Sequence, residues 1–191
     1  MTRVAVIGDL MLDKSTHYRT GERANPENKM IPLVSKATQH EEYRLGWAGN
    51  LAANIQAMLG DVLLCGPYHK ESAERVFQTC TDMGISLIGM ETQTPTIIKE
   101  RVYIDNKYMY RIDTEQPIII SKDQKEYIAQ ALMKEKPSHI IISDYIKWTI
   151  DAELMKFVND TAHKLGSRVL VDTKPKHMDL FWWAYLIKPN L

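Results

Sequence analysis

The strongest constraint in this chain is a repeated pairing of a short apolar run with a polar cluster at its carboxyl end. Residues 4–7 lead into Asp9 and Asp13, and 139–142 into Ser143, Asp144 and Lys147. Residues 168–171 lead into Asp172 and Lys174, and 185–187 into Lys188 and Asn190. Runs of this kind, rich in β-branched residues, read as strands buried on both faces. Between them lie segments with helical apolar spacing, such as Leu154, Phe157, Val158, Ala162 and Leu165. Buried strands alternating with amphipathic helices predict a mostly parallel sheet covered by helices on both faces. Ligand crevices in such sheets open at the carboxyl ends of the strands, so the four clusters predict one shared crevice. Taken singly, each aspartate is equally a turn or helix-cap residue.

The other elements follow from local signals. Further strands are predicted at 62–65 and 85–90. Helices are predicted at 49–59, closed by Gly60, at 71–83, closed by Gly84, and at 149–165, closed by Gly166. Ser121 and Gln124 stand in capping-box spacing before a helix from 122 to about 134. Mixed-polarity runs at 30–35 and 42–45 suit a small exposed sheet. Two extended runs, 96–104 and 108–113, flank the turn Asp105-Asn106-Lys107. Together these predict a β lid with strands within about 14–45 and 96–113.

The chain has 191 residues, 45% hydrophobic and 25% charged, enough for one domain with a real core. Its 24 basic and 24 acidic residues balance, so no overall field argues for nucleic acid and no acidic bias for disorder. Cys65 and Cys80 lack metal-ligand spacing and read as reduced, buried thiols. No apolar stretch is long enough to span a membrane, and the amino terminus carries no leader pattern. The expectation is a cytoplasmic protein with neither nucleic acid nor membrane as partner.

Several residues stand out chemically. Thr96, Lys99 and Arg101 share one extended run, and Lys99 and Arg101 alternate to the same face. Both cations can reach one anion such as a sugar phosphate, or stand as a solvated pair. Arg111 and Asp113 also share a face and can pair with each other. Gly46-Trp47-Ala48-Gly49-Asn50 precedes a helix: its glycines let backbone approach a ligand, and helix-start amides attract polar groups. The same five residues also suit a tight strand-to-helix turn. No GxGxxG follows the first strand and no GxxxxGK[ST] occurs, which disfavours dinucleotide binding and a P-loop. His69, His163 and His177 have no partner in metal-ligand spacing, so their expected roles are structural and no metal site is predicted.

Read in order, these stretches resemble the amino-terminal part of a PfkB, ribokinase-like carbohydrate kinase. They are most like the kinases of D-glycero-D-manno-heptose 7-phosphate in lipopolysaccharide-precursor (ADP-heptose) synthesis. The matching stretches are 6–13, Arg23 with Asn25-Pro26-Glu27, 46–50, 95–101, 111–113, 143–147, 171–174 and Pro189-Asn190. The resemblance implies a ribokinase-like α/β fold with a small β lid, its carboxyl-terminal part lying beyond this chain. It implies that Asp9, Asp13, Gly46, Gly49, Asn50, Thr96, Lys99, Arg101 and Asp113 lie on the sugar-phosphate side. Asp144, Lys147, Lys174 and Asn190 would lie on the phosphate and nucleotide side, near MgATP in a complete member. The family's general base, in a Gly-Ala-Gly-Asp motif, is expected beyond Leu191, so no catalytic residue is assigned and full ATP and Mg2+ binding is not expected here. Association through the lid, or with a completing segment, is a further implication. Departures include Trp47 and Trp148 at positions where the family usually has glycine, and Thr173 in place of a proline. The residues leave a second reading open, a non-catalytic sugar-phosphate-binding module or a subunit completed by another chain.

Overall fold

The computed structural model describes residues 3–21, 23, 25–36, 39–147 and 149–189. Ten strands are present among them. They are β1 (Val4–Gly8), β2 (Leu10–Tyr18), β3 (His40–Trp47), β4 (Val62–His69), β5 (Ser86–Thr92), β6 (Ile97–Ile104), β7 (Lys107–Thr114), β8 (His139–Ser143), β9 (Arg168–Thr173) and β10 (Leu186–Pro189). The helices are α1 (Ala48–Leu59), α2 (Ala73–Asp82), α3 (Lys122–Glu135) and α4 (Ala152–Leu165).

Six strands form one sheet in the order β10-β9-β8-β1-β4-β5, and every neighbouring pair is parallel. Alternation along β1 divides the core. Ala5 and Ile7 pack with Ile128 and Leu132 of α3 and with Leu154, Met155 and Val158 of α4. Val6 packs on the other face with Ala48 and Ala52 of α1 and Val76 and Cys80 of α2. Side chains of a strand point alternately to its two faces, so a run apolar at every position must be covered twice. Cys65 and Cys80 are buried free thiols, and burial pushes them up to about 12 and about 11.

The second sheet has the order β3-β2-β6-β7, with β2 and β6 parallel and the two outer pairs antiparallel. Asp9 alone separates β1 from β2, so the chain passes from one sheet to the other across a single residue. The β6–β7 hairpin turns at Asp105 and Asn106, both left-handed (φ 47 and 62), the conformation that matches the strand twist.

Two local expectations are corrected. Residues 30–35 form no lid strand: Val34 makes one isolated antiparallel bridge to Thr20. The lid strand is 10–18 instead, its apolar start buried and its polar remainder paired on both sides. Helix α4 begins at Ala152 rather than 149, because the Asp151 side chain accepts from the Leu154 amide (2.8 Å) and caps it there.

Candidate active site

The carboxyl ends of β1, β8 and β9 are held together by two buried carboxylates. A Cβ on Gly8 would collide with the Ser143 carbonyl, so only glycine lets β1 close on β8 here. The next residue, Asp9, is fully buried, and its Oδ2 accepts from the amides of Tyr145 (2.9 Å) and Lys147 (3.2 Å). Burial raises the Asp9 pKa above 3.8, although both amides and nearby Thr149 oppose the shift. Neither Asp9 Oδ1 nor Thr149 Oγ1 completes a hydrogen bond among the described residues.

Asp144 Oδ1 accepts from the Ile146 amide (2.9 Å), fixing Ile146 at φ 57. Its Oδ2 accepts from Thr173 Oγ1 (2.7 Å) and meets His177 Nδ1 (2.9 Å). Asp9 and Asp144 thus use their carboxylates to shape the 144–147 loop. His177 joins the site unforeseen, because no spacing links it to Asp144, 33 positions away. A carboxylate on Nδ1 orients the ring and leaves Nε2 as the nitrogen turned to other partners.

One face of the lid carries charge in cross-strand rows. Arg44, Asp13, Lys99 and Asp113 are in register across β3, β2, β6 and β7, followed by Glu42, Ser15, Arg101 and Arg111. Arg101 Nη1 pairs with Asp13 Oδ1 (2.5 Å), and Arg111 with Asp113 (2.7 and 2.9 Å). Asp13, Ser15, Asn50 and Arg101 line a cavity of about 560 Å³ between this face and α1. His17 and Glu42 are shared with a neighbouring cavity of about 760 Å³, and His17 stacks on Tyr103 at 4.6 Å. A Cβ on Gly46 would stand 2.8 Å from Asp13 Oδ2, and one on Gly49 2.7 Å from Leu45 Cβ. These glycines therefore admit the Asp13 carboxylate and the close seating of α1. Buried Thr96 accepts from the His69 amide (2.8 Å), anchoring the start of β6 to β4.

Lys99 and Arg101 share a face yet engage different partners. Lys99 Nζ lies 4.9 Å from the Trp47 ring centroid, and Lys147 Nζ lies 5.7 Å from it. Burial, then the charges of Lys174 and Lys99, press the Lys147 ammonium below its usual value, whereas Asp9 and Asp113 raise it. Lys147 also pairs with Glu115. Trp47 itself sits at φ 47, ψ −118, a region that side chains rarely occupy. Ammonium groups crowded in this way suit a phosphate group. Among the described residues no group of three or more His, Cys, Asp or Glu is placed to hold a metal ion. Asn190, expected near magnesium, lies outside the described residues.

A six-stranded parallel sheet covered on both faces, with a four-stranded sheet rising beside its strand ends, is the ribokinase-like α/β architecture. The chain shares the fold of the PfkB, ribokinase-like kinases and is similar in sequence to the HldE proteins along nearly all of its length. It is 35% identical over 195 residues to the Bifunctional protein HldE of Helicobacter hepaticus, a match covering 98% of this chain and 39% of that protein. The same-named protein of Psychromonas ingrahamii is 35% identical over 193 residues, covering 99% and 39%. The chain thus spans about two fifths of the length of these curated relatives. Phosphofructokinase-2 from Escherichia coli, solved in complex with fructose-6-phosphate, superposes with a TM-score of 0.70 at 18% identity. That match covers 100% of this chain and 62% of the other. A carbohydrate kinase from Agrobacterium tumefaciens gives 0.60 at 12%, covering 95% and 57%. No family model matches the chain.

Proposed function

We propose that this chain forms the sugar-phosphate side of an ATP-dependent sugar kinase whose substrate is a heptose 7-phosphate. The observation that carries the reading is the shared cavity of Asp13, Asn50 and Arg101, with the Lys99 and Lys147 ammonium groups gathered over the Trp47 ring. A carboxylate and an amide in one cavity suit sugar hydroxyls, because ionised Asp accepts and Asn both donates and accepts. Ammonium groups crowded nearby suit a dianionic phosphate. Similarity to the HldE proteins supports heptose over other sugars. In this reading Asp13 orients the sugar, Arg101 steadies Asp13, and Lys147 and Lys174 compensate the phosphates along which the γ-phosphoryl of MgATP moves. Positioning and charge compensation are the main demands of phosphoryl transfer.

Calorimetry with D-glycero-D-manno-heptose 7-phosphate, fructose 6-phosphate and MgATP tests this. The heptose phosphate is expected to bind more tightly than fructose 6-phosphate. Asp13→Ala should weaken it by tenfold or more, about 1.4 kcal/mol. Equal affinity for both sugars removes the heptose assignment, and a null effect of Asp13→Ala removes the sugar site. Sugar-phosphate binding with no response to MgATP favours a binding module.

A further inference from the structure

Trp47 and Ile146 each hold a left-handed backbone conformation, with φ of 47 and 57. Neither is glycine, asparagine or aspartate, and Ile146 is β-branched, so the surrounding contacts must impose both. The two residues come from different parts of the fold, the end of β3 and the loop after β8, but they converge. The Trp47 indole stacks on Tyr145, next to Ile146, with ring centroids 5.2 Å apart and planes 12° apart. Over the same indole stand Lys99 Nζ, from the lid, and Lys147 Nζ, from the loop of the main sheet. An aromatic face attracts ammonium groups within about 6 Å of its centroid, so one ring gathers two cations that repel each other. The charge of Lys174 bears on the same Lys147.

We propose that Trp47 is the positioning residue of a phosphate site, its indole presenting Lys99 and Lys147 to two sides of one phosphate group. The ligand is a phosphate monoester dianion, which takes the place of Glu115 on Lys147 and compensates the crowded ammonium groups better than the ring does. Because Lys99 belongs to the lid and Lys147 to the main sheet, the bound phosphate ties the two sheets together. This inference deepens the sugar-kinase reading and rests on it only for which molecule carries the phosphate.

The test is NMR of protein carrying 13C-labelled lysine, titrated at constant ionic strength with inorganic phosphate and with heptose 7-phosphate. Wild type is compared with Trp47→Phe, Trp47→Leu and Lys99→Gln. In wild type the ε-methylene resonances of Lys99 and Lys147 should show upfield ring-current shifts, and phosphate should move both together. Trp47→Leu should abolish those shifts and weaken phosphate about tenfold, whereas Trp47→Phe should retain part of the shift and lose less than about threefold. Lys99→Gln, which leaves the ring in place, should keep the Lys147 shift and still weaken phosphate, a pattern that general loosening does not produce. Absent ring-current shifts in wild type, or unchanged phosphate affinity in folded Trp47→Leu, overturns the proposal even if heptose 7-phosphate binds. Inorganic phosphate binding at these lysines without heptose phosphate binding sustains the Trp47 site and removes the kinase reading instead.

Discussion

Asp9 illustrates how one side chain can be decisive without facing a substrate. Its Oδ2 accepts two loop amides, so Asp9→Ala leaves both without that acceptor and should destabilise by about 1–3 kcal/mol for each amide that water does not reach. Asp9→Asn retains a carbonyl acceptor and should cost less. The pH dependence has a definite sign. Because burial raises the folded-state pKa above 3.8, the folded protein holds this proton longer than the unfolded chain. The resulting stabilisation is full below 3.8 and is lost as pH rises through the raised value, beyond which the buried charge is a cost. Urea unfolding from about pH 4 to about pH 8 should therefore show a weaker loss of stability with rising pH in Asp9→Asn than in wild type. At this scale the sequence made legible that polar residues follow the strands β1, β8 and β9. Their division of labour was not. Asp9 and Asp144 hold a loop, Arg101 turns to Asp13, and Lys99 turns to Trp47, because each outcome depends on partners brought from distant elements.

The elements whose ends are set by local chemistry were readable in sequence. Gly60 and Gly166 take left-handed conformations after α1 and α4 (φ 78 and 68), and Ser121 with Gln124 completes the capping box of α3. Strand β2 was not readable, because Asp13, Ser15 and His17 look like loop residues until β3 and β6 pair with them. The start of α4 shows a local and a tertiary signal combined. Asp151 caps the helix and also takes the buried Lys125 ammonium of α3 (2.6 Å), which Glu153 shares (2.8 Å). Asp151→Ala should cost about 1–2 kcal/mol through the lost cap. Combined with Lys125→Met, it should cost less than the two changes added, because they dismantle one network. Denaturant midpoints of the three variants check this.

At the scale of the whole molecule, the two sheets differ in how well they are covered. β1 and β8 lie inside the main sheet with helices on both faces, whereas β7 is the outer strand of the lid and is exposed along all eight residues. Hydrogen exchange should therefore be slowest in β1 and β8 and fast in β7, with free energies of opening far below the global value. A bound sugar phosphate should slow exchange in β2 and β6, which carry Asp13, Lys99 and Arg101, more than in β4 and β5. Uniform protection across both sheets would contradict that assignment. The sequence by itself determined the parallel sheet, the glycine-closed carboxyl ends of α1 and α4, and the placing of polar residues after β1, β8 and β9. These follow from periodicity, caps and the alternation of side chains, all properties of neighbouring residues. Only the tertiary structure decided that β2 is a strand, that His177 stands on Asp144, and that Trp47 collects a lysine from each sheet. Those contacts join residues far apart in the chain, and their geometry exists only once the two sheets have come together.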